Sequence, residues 1–195
     1  MKRKFKLFAT VASLCLSVAL MAFGVYAATS VSYSVNGTVS YTMTDVLVTV
    51  TMKTEYVTDE HQGHADGSVT RLEYANSQEV DSYSSYNSST NLPEGNGVHT
   101  ADADINLNTS SAWKLTITVS TINPGGVEVA LDDTTFGLAG SENYAVVGDA
   151  SNSYETAITK GTEAQFVYYV YLKDATVSIP STNFSIDLNI TQYTA

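Results

Sequence analysis

Apolar and polar residues alternate with period two along most of the chain, the signature of half-buried β-strands. Val31, Tyr33 and Val35 share one face. Asn36-Gly37 then reads as a turn or bulge, after which Val39, Tyr41 and Met43 resume the pattern. Val46, Val48, Val50 and Met52 alternate with Leu47, Thr49 and Thr51, and Leu72 with Tyr74 forms a shorter strand candidate after Asp66-Gly67. The polar, turn-rich stretch 76–100 reads as a long surface loop, with partial order as an edge strand as its alternative.

The second half is more regular. Ile105 and Leu107 lead into Trp113, Leu115, Ile117 and Val119, and Asn123-Pro124-Gly125-Gly126 stops the run. Val127, Val129 and Leu131 follow at once, which predicts a hairpin. Phe136 with Leu138, and Tyr144 with Val146, are shorter pieces. Phe166, Tyr168, Val170 and Leu172 alternate with Val167, Tyr169 and Tyr171, so this strand is apolar on both faces and is expected to be central in its sheet. Phe184, Ile186, Leu188 and Ile190 alternate with Ser185, Asp187, Asn189 and Thr191. Eight to ten short strands and no helical period predict an all-β fold: a two-sheet sandwich, of which the jelly roll is one form.

The N-terminus departs from this pattern. Lys2, Arg3, Lys4 and Lys6 precede an apolar run from Leu7 to Tyr26, and Val25-Tyr26-Ala27 meets the small-residue rule for signal peptidase. Residues 1–27 are therefore expected to be a cleaved signal peptide, with 28–195 as one β-sandwich domain of 168 residues. The competing reading is a retained anchor, since the run is about long enough to span a bilayer. Cleavage predicts a secreted protein of the extracellular space or cell surface, with no membrane contact afterwards.

Export changes the charge. Four of the nine basic residues lie in the leader, so the mature chain holds five basic against 20 acidic residues, a formal charge of −15. Nucleic acid is excluded as a partner, because phosphate recognition needs a basic surface. Cys15, the only cysteine, also lies in the leader, which leaves the domain to rest on its own core without disulfides. Ser and Thr make up 44 of the 168 mature residues, and their 12 Tyr outnumber Phe and Trp together, as suits strands with one wet face.

Three clusters are candidates for chemistry. Asp59-Glu60-His61-Gln62-Gly63-His64-Ala65-Asp66 offers His61 and His64 as ligands for zinc or copper; the competing reading is a solvated loop. Asp102, Asp104, Asn106 and Asn108 alternate as oxygen ligands suited to calcium, or as the wet side of a strand, with Asp132-Asp133 as a weaker pair of the same kind. Calcium is thus the cofactor to consider, and otherwise none is expected. Tyr168, Tyr169 and Tyr171 beside Trp113 could form an aromatic platform for sugars, or serve as packing. Ser111-Ala112-Trp113-Lys114 matches S-x-x-K, but on a strand, where that spacing does not bring Ser to Lys. No catalytic constellation emerges, and the chain is not expected to be an enzyme.

The leader and first strands, MKRKFKLFATVASLCLSVALMAFGVYAATSVSYSVNGTVSY, resemble small exported proteins of Gram-positive bacteria, distantly the TasA/camelysin group of biofilm-matrix proteins. The chain departs from that group at Ala28-Thr29-Ser30-Val31, where an acidic-aromatic segment is usual, and Gly37-Thr38-Val39 follows its later signature only in part. The resemblance implies a cysteine-free jelly-roll domain that assembles by strand donation. The expected function is a structural or interaction protein of the cell surface or extracellular matrix, self-associating or bound to a surface protein. The alternative is a glycan- or calcium-binding module.

Overall fold

A computed structural model describes residues 31–44, 47–58, 76–90, 92–93, 95–108, 111–137, 144–149, 151–172 and 182–193. The expected signal peptide 1–27, the cluster containing His61 and His64, and the Leu72–Tyr74 strand lie outside the described residues.

Among the described residues, thirteen strands occur in chain order: β1 (Val31–Met43), β2 (Val48–Thr58), β3 (Asn76–Ser84), β4 (Tyr86–Asn87), β5 (Leu92–Pro93), β6 (Gly97–Thr100), β7 (Ala103–Leu107), β8 (Ser111–Thr121), β9 (Val127–Asp132), β10 (Tyr144–Gly148), β11 (Glu155–Ile158), β12 (Glu163–Leu172) and β13 (Thr182–Gln192). One short helical turn, α1 (Thr134–Gly137), follows β9. The first sheet has the order β11-β9-β13-β1-β6, with β7 also on β1; the second has the order β10-β12-β8-β2-β3. β4 and β5 form a separate pair. The two sheets pack face to face, so the fold is an all-β sandwich, as the alternation predicts.

The core lies between the sheets and is built from the alternating positions. Val35, Val39, Tyr41, Ile186, Leu188 and Ile190 enter from the first sheet, and Val50, Leu115, Ile117, Phe166 and Val170 from the second. Removing about 25 cal/mol per Å² of apolar surface from water is what holds the two layers together. At one end, Phe136 of α1 packs 4.7 Å from Tyr168 and 5.0 Å from Phe184, and Trp113 lies 5.8 Å from Phe184, ring centre to ring centre. β12 is paired on both sides, by β10 and β8, in keeping with its two apolar faces. Its outward residues Tyr169 and Tyr171 join Val57 and Ala112 in a second buried cluster on the outer face of that sheet.

Three expectations change. The Asn123–Gly126 turn does not close a hairpin: β8 belongs to the second sheet and β9 to the first, so the turn carries the chain across the sandwich. Periodicity marks strands and turns but says nothing about which sheet the next strand joins. Asn36-Gly37 is no turn either, because β1 runs unbroken through it. The ladder breaks instead in the segment paired with β1, at Ala101-Asp102 between β6 and β7. Finally, the described residues of segment 76–100 hold four strands, so the edge-strand alternative holds for this segment and the long loop does not. β3 is an edge strand with an almost wholly exposed face pattern, held by its backbone ladder to β2, so no alternation announced it.

Candidate functional site

β1 is the first described strand, and it is interior to its sheet. On one side it runs parallel to β13, from Val35 opposite Thr182 to Met43 opposite Ile190. On the other it is antiparallel to β7 over Val31–Val35 and to β6 over Thr38–Tyr41. Its inward residues Tyr33, Val35, Val39 and Tyr41 are all buried. Between them Gly37 faces Phe184, and a Cβ at this position would lie 2.3 Å from the ring. The chain then reaches β2, in the opposite sheet, through the link 44–47. That link is fixed at both ends: the Thr44 amide donates to Ile190 O at 3.1 Å, and Leu47 O accepts from Thr121 Oγ1 at 3.0 Å.

The outward face of β1 carries hydroxyls. Ser32 donates to Asn106 Oδ1 at 3.0 Å and Ser34 to Asp104 Oδ1, both on β7. Ser40 donates to Asp187 Oδ1 and Thr42 to Asn189 Oδ1, both on β13. At the ladder break, Asp102 Oδ1 accepts the Gly37 amide at 3.2 Å. The two carboxylates singled out for calcium, Asp102 and Asp104, therefore each receive a donor from β1. Asp132 similarly accepts the amide and hydroxyl of Thr134, and Asp133 accepts the Tyr168 hydroxyl at 3.1 Å. Among the described residues, no three His, Cys, Asp or Glu side chains converge as a metal site.

Tyr168 is fully buried; burial first, then the Asp133 charge, drives its hydroxyl far above the ordinary phenol value. Trp113 is likewise buried, and Tyr169 and Tyr171 are 5% and 1% exposed, so these four rings cannot stack on a sugar; they are packing. Ser111 faces inward and Lys114 outward from β8, which removes the S-x-x-K spacing from consideration.

Two further constellations escaped the sequence reading because their members are far apart along the chain. At the open edge between the sheets, Tyr83 of β3 stacks on His99 of β6, ring centres 4.5 Å apart and 19° from parallel. The Tyr83 hydroxyl lies 2.8 Å from that of Tyr41, and His99 Nε2 lies 3.6 Å from Asp81 Oδ2. On the outer face of the second sheet, Thr51, Lys53, Lys114, Thr116, Thr118 and Gln165 line an open trough of about 690 Å³. Lys53 donates to Glu55 Oε1 at 2.9 Å, and Glu79 is 3.7 Å away. Burial pushes the Glu55 carboxyl up, but the Lys53 hydrogen bond and charge outweigh it and hold the group below its ordinary range.

No helix among the described residues is long and apolar enough to cross a membrane. No protein-family model matches the chain, and no curated protein matches it significantly.

Proposed function

We propose that this chain is an exported structural or interaction protein of the cell surface or extracellular matrix, assembling by passing β1 from one copy into the sheet of the next. The carrying observation is the place of β1: an interior strand tied to the rest of the fold on one side only by the short link 44–47. With cleavage after Ala27, only three residues precede it. A strand attached in this way can leave as a unit, and the same strand of a neighbour can restore every contact it made. Export and surface location rest on the leader pattern of residues 1–27. Size-exclusion chromatography and electron microscopy of the chain from Ala28 are expected to show linear or cyclic oligomers that grow with concentration. A strict monomer throughout, with or without calcium, removes the assembly reading.

A second reading, a glycan-binding module, is favoured by the trough on the second sheet. Its hydroxyls, its amide and two of the three described lysines are groups that hydrogen-bond to sugars. Binding would raise the melting temperature by mass action. A glycan array without hits, and a melting temperature unmoved by candidate polysaccharides, would remove it.

A further inference from the structure

The outer faces of the two sheets treat their hydroxyls differently. On the first sheet, Ser32, Ser34, Ser40 and Thr42 all donate to Asp or Asn oxygens of a neighbouring strand. On the second, Ser82, Thr116 and Thr118 line the trough, and among the described residues their hydroxyls donate to no protein group. Strand pairing sets the trough residues in rows. Ser84, Thr51, Thr118 and Gln165 form one row, Ser82, Lys53 and Thr116 the next, and Glu55 with Lys114 the third. Rows of this kind lie about 7 Å apart and their strands about 5 Å apart. A polyhydroxylated chain laid in the trough therefore meets an uncommitted polar group at every step.

Charge singles out one member of these rows. The expected mature chain holds four acidic residues for each basic one, so a lysine is expected to find a carboxylate. Lys53 does, with Glu55 at 2.9 Å and Glu79 at 3.7 Å. Lys114 stands opposite Glu55 in the ladder, yet among the described residues no carboxylate comes within ion-pair distance of its ammonium. It is half-buried on β8, the middle strand of its sheet. A half-buried cation without a counter-ion, beside unspent hydroxyls, is an anchor for an anion on a polar ligand. The neighbouring Lys53 shows which anion fits, since it already takes a carboxylate. Among the described residues there is no arginine, whose fork suits phosphate and sulfate.

We infer that the trough takes a uronate-bearing polysaccharide, its carboxylate on Lys114 and its sugar hydroxyls on Ser82, Thr116 and Thr118. This rests on the glycan-binding reading and deepens it by naming the class of glycan. The formal charge of −15 on the mature chain repels polyanions in general, so an acidic polymer that binds has found its cation locally. A neutral sugar would leave Lys114 without a counter-ion. A densely charged polymer would set further anions against Glu55 and Glu79.

The test reads the chain from Ala28 on an array of neutral, uronate, sulfated and phosphorylated glycans, and titrates it calorimetrically with polygalacturonate and with dextran. Hits are expected on the uronates, with polygalacturonate bound about tenfold more tightly than dextran, the weight of one charge-assisted hydrogen bond. Lys114→Gln is expected to erase that advantage. Lys160→Gln, which removes the same charge from an exposed turn outside the trough, is expected to keep it. Thr118→Val leaves the charge in place and is expected to weaken both polymers alike, which tests the trough even where Lys114→Gln fails to fold. Hits on neutral glycans without preference for uronates, or an advantage that survives Lys114→Gln, overturn the carboxylate anchor while leaving the glycan reading standing. So do hits confined to sulfated or phosphorylated glycans, or an equal loss in Lys160→Gln. An array without hits overturns both.

Discussion

Gly37 shows how much one missing side chain can decide. Among the described glycines only Gly126 and Gly161 have positive φ, so Gly37 is required by the approach of Phe184 rather than by backbone conformation. Gly37→Ala is expected to cost about 2 kcal/mol of stability, the usual range for forcing atoms into a filled core, read as a lower urea midpoint. Tyr168 supplies a pH test. Its hydroxyl is raised well above the ordinary 10.0, so the folded chain keeps a proton that the unfolded chain gives up. Its contribution is whole below the unfolded value and is lost as pH rises beyond it. Melting temperature is therefore expected to fall above about pH 10, and Tyr168→Phe to flatten that fall. An unchanged alkaline slope in the variant would contradict the assignment.

At the scale of elements, what could be read from the sequence depended on burial. β2, β8, β12 and β13 each set alternate residues into the core, and their alternation announced them. β3 has no buried face, so the sequence offered an edge strand there only as the alternative to a loop, because backbone pairing leaves no trace in side-chain type. The hairpin expected at Asn123–Gly126 failed for another reason: turn chemistry fixes a reversal, while partner choice is settled by packing across the whole sandwich. The candidate site was half legible. The alternation of Ser32, Ser34, Ser40 and Thr42 is plain in the sequence, but their acceptors lie between 70 and 147 residues away. The same distance hid the Tyr83–His99 stack that closes the open edge. His99→Ala is expected to loosen β3, seen as faster amide exchange across Asn76–Ser84 with little change in β8. Uniform exchange in both strands would show that the stack does not hold the edge.

For the whole molecule, charge and topology pull in opposite directions. A formal charge of −15 on the expected mature chain keeps copies apart, whereas the proposed exchange of β1 would join them. Assembly is therefore expected to quicken as salt is raised from about 10 mM to 150 mM, because the screening length falls from about 30 to 8 Å. Light scattering during a salt titration checks this, and slower assembly at higher salt would contradict it. The central claim, that β1 is what passes between copies, is tested most directly by stapling it in place. A single chain carrying both Thr38→Cys and Ser185→Cys, oxidised as a dilute monomer, locks β1 beside its own β13. Sedimentation velocity of the stapled and reduced forms over the same concentration range should give a monomer for the first and growing oligomers for the second. Oligomers from the stapled chain, or a monomer from both, would contradict the account.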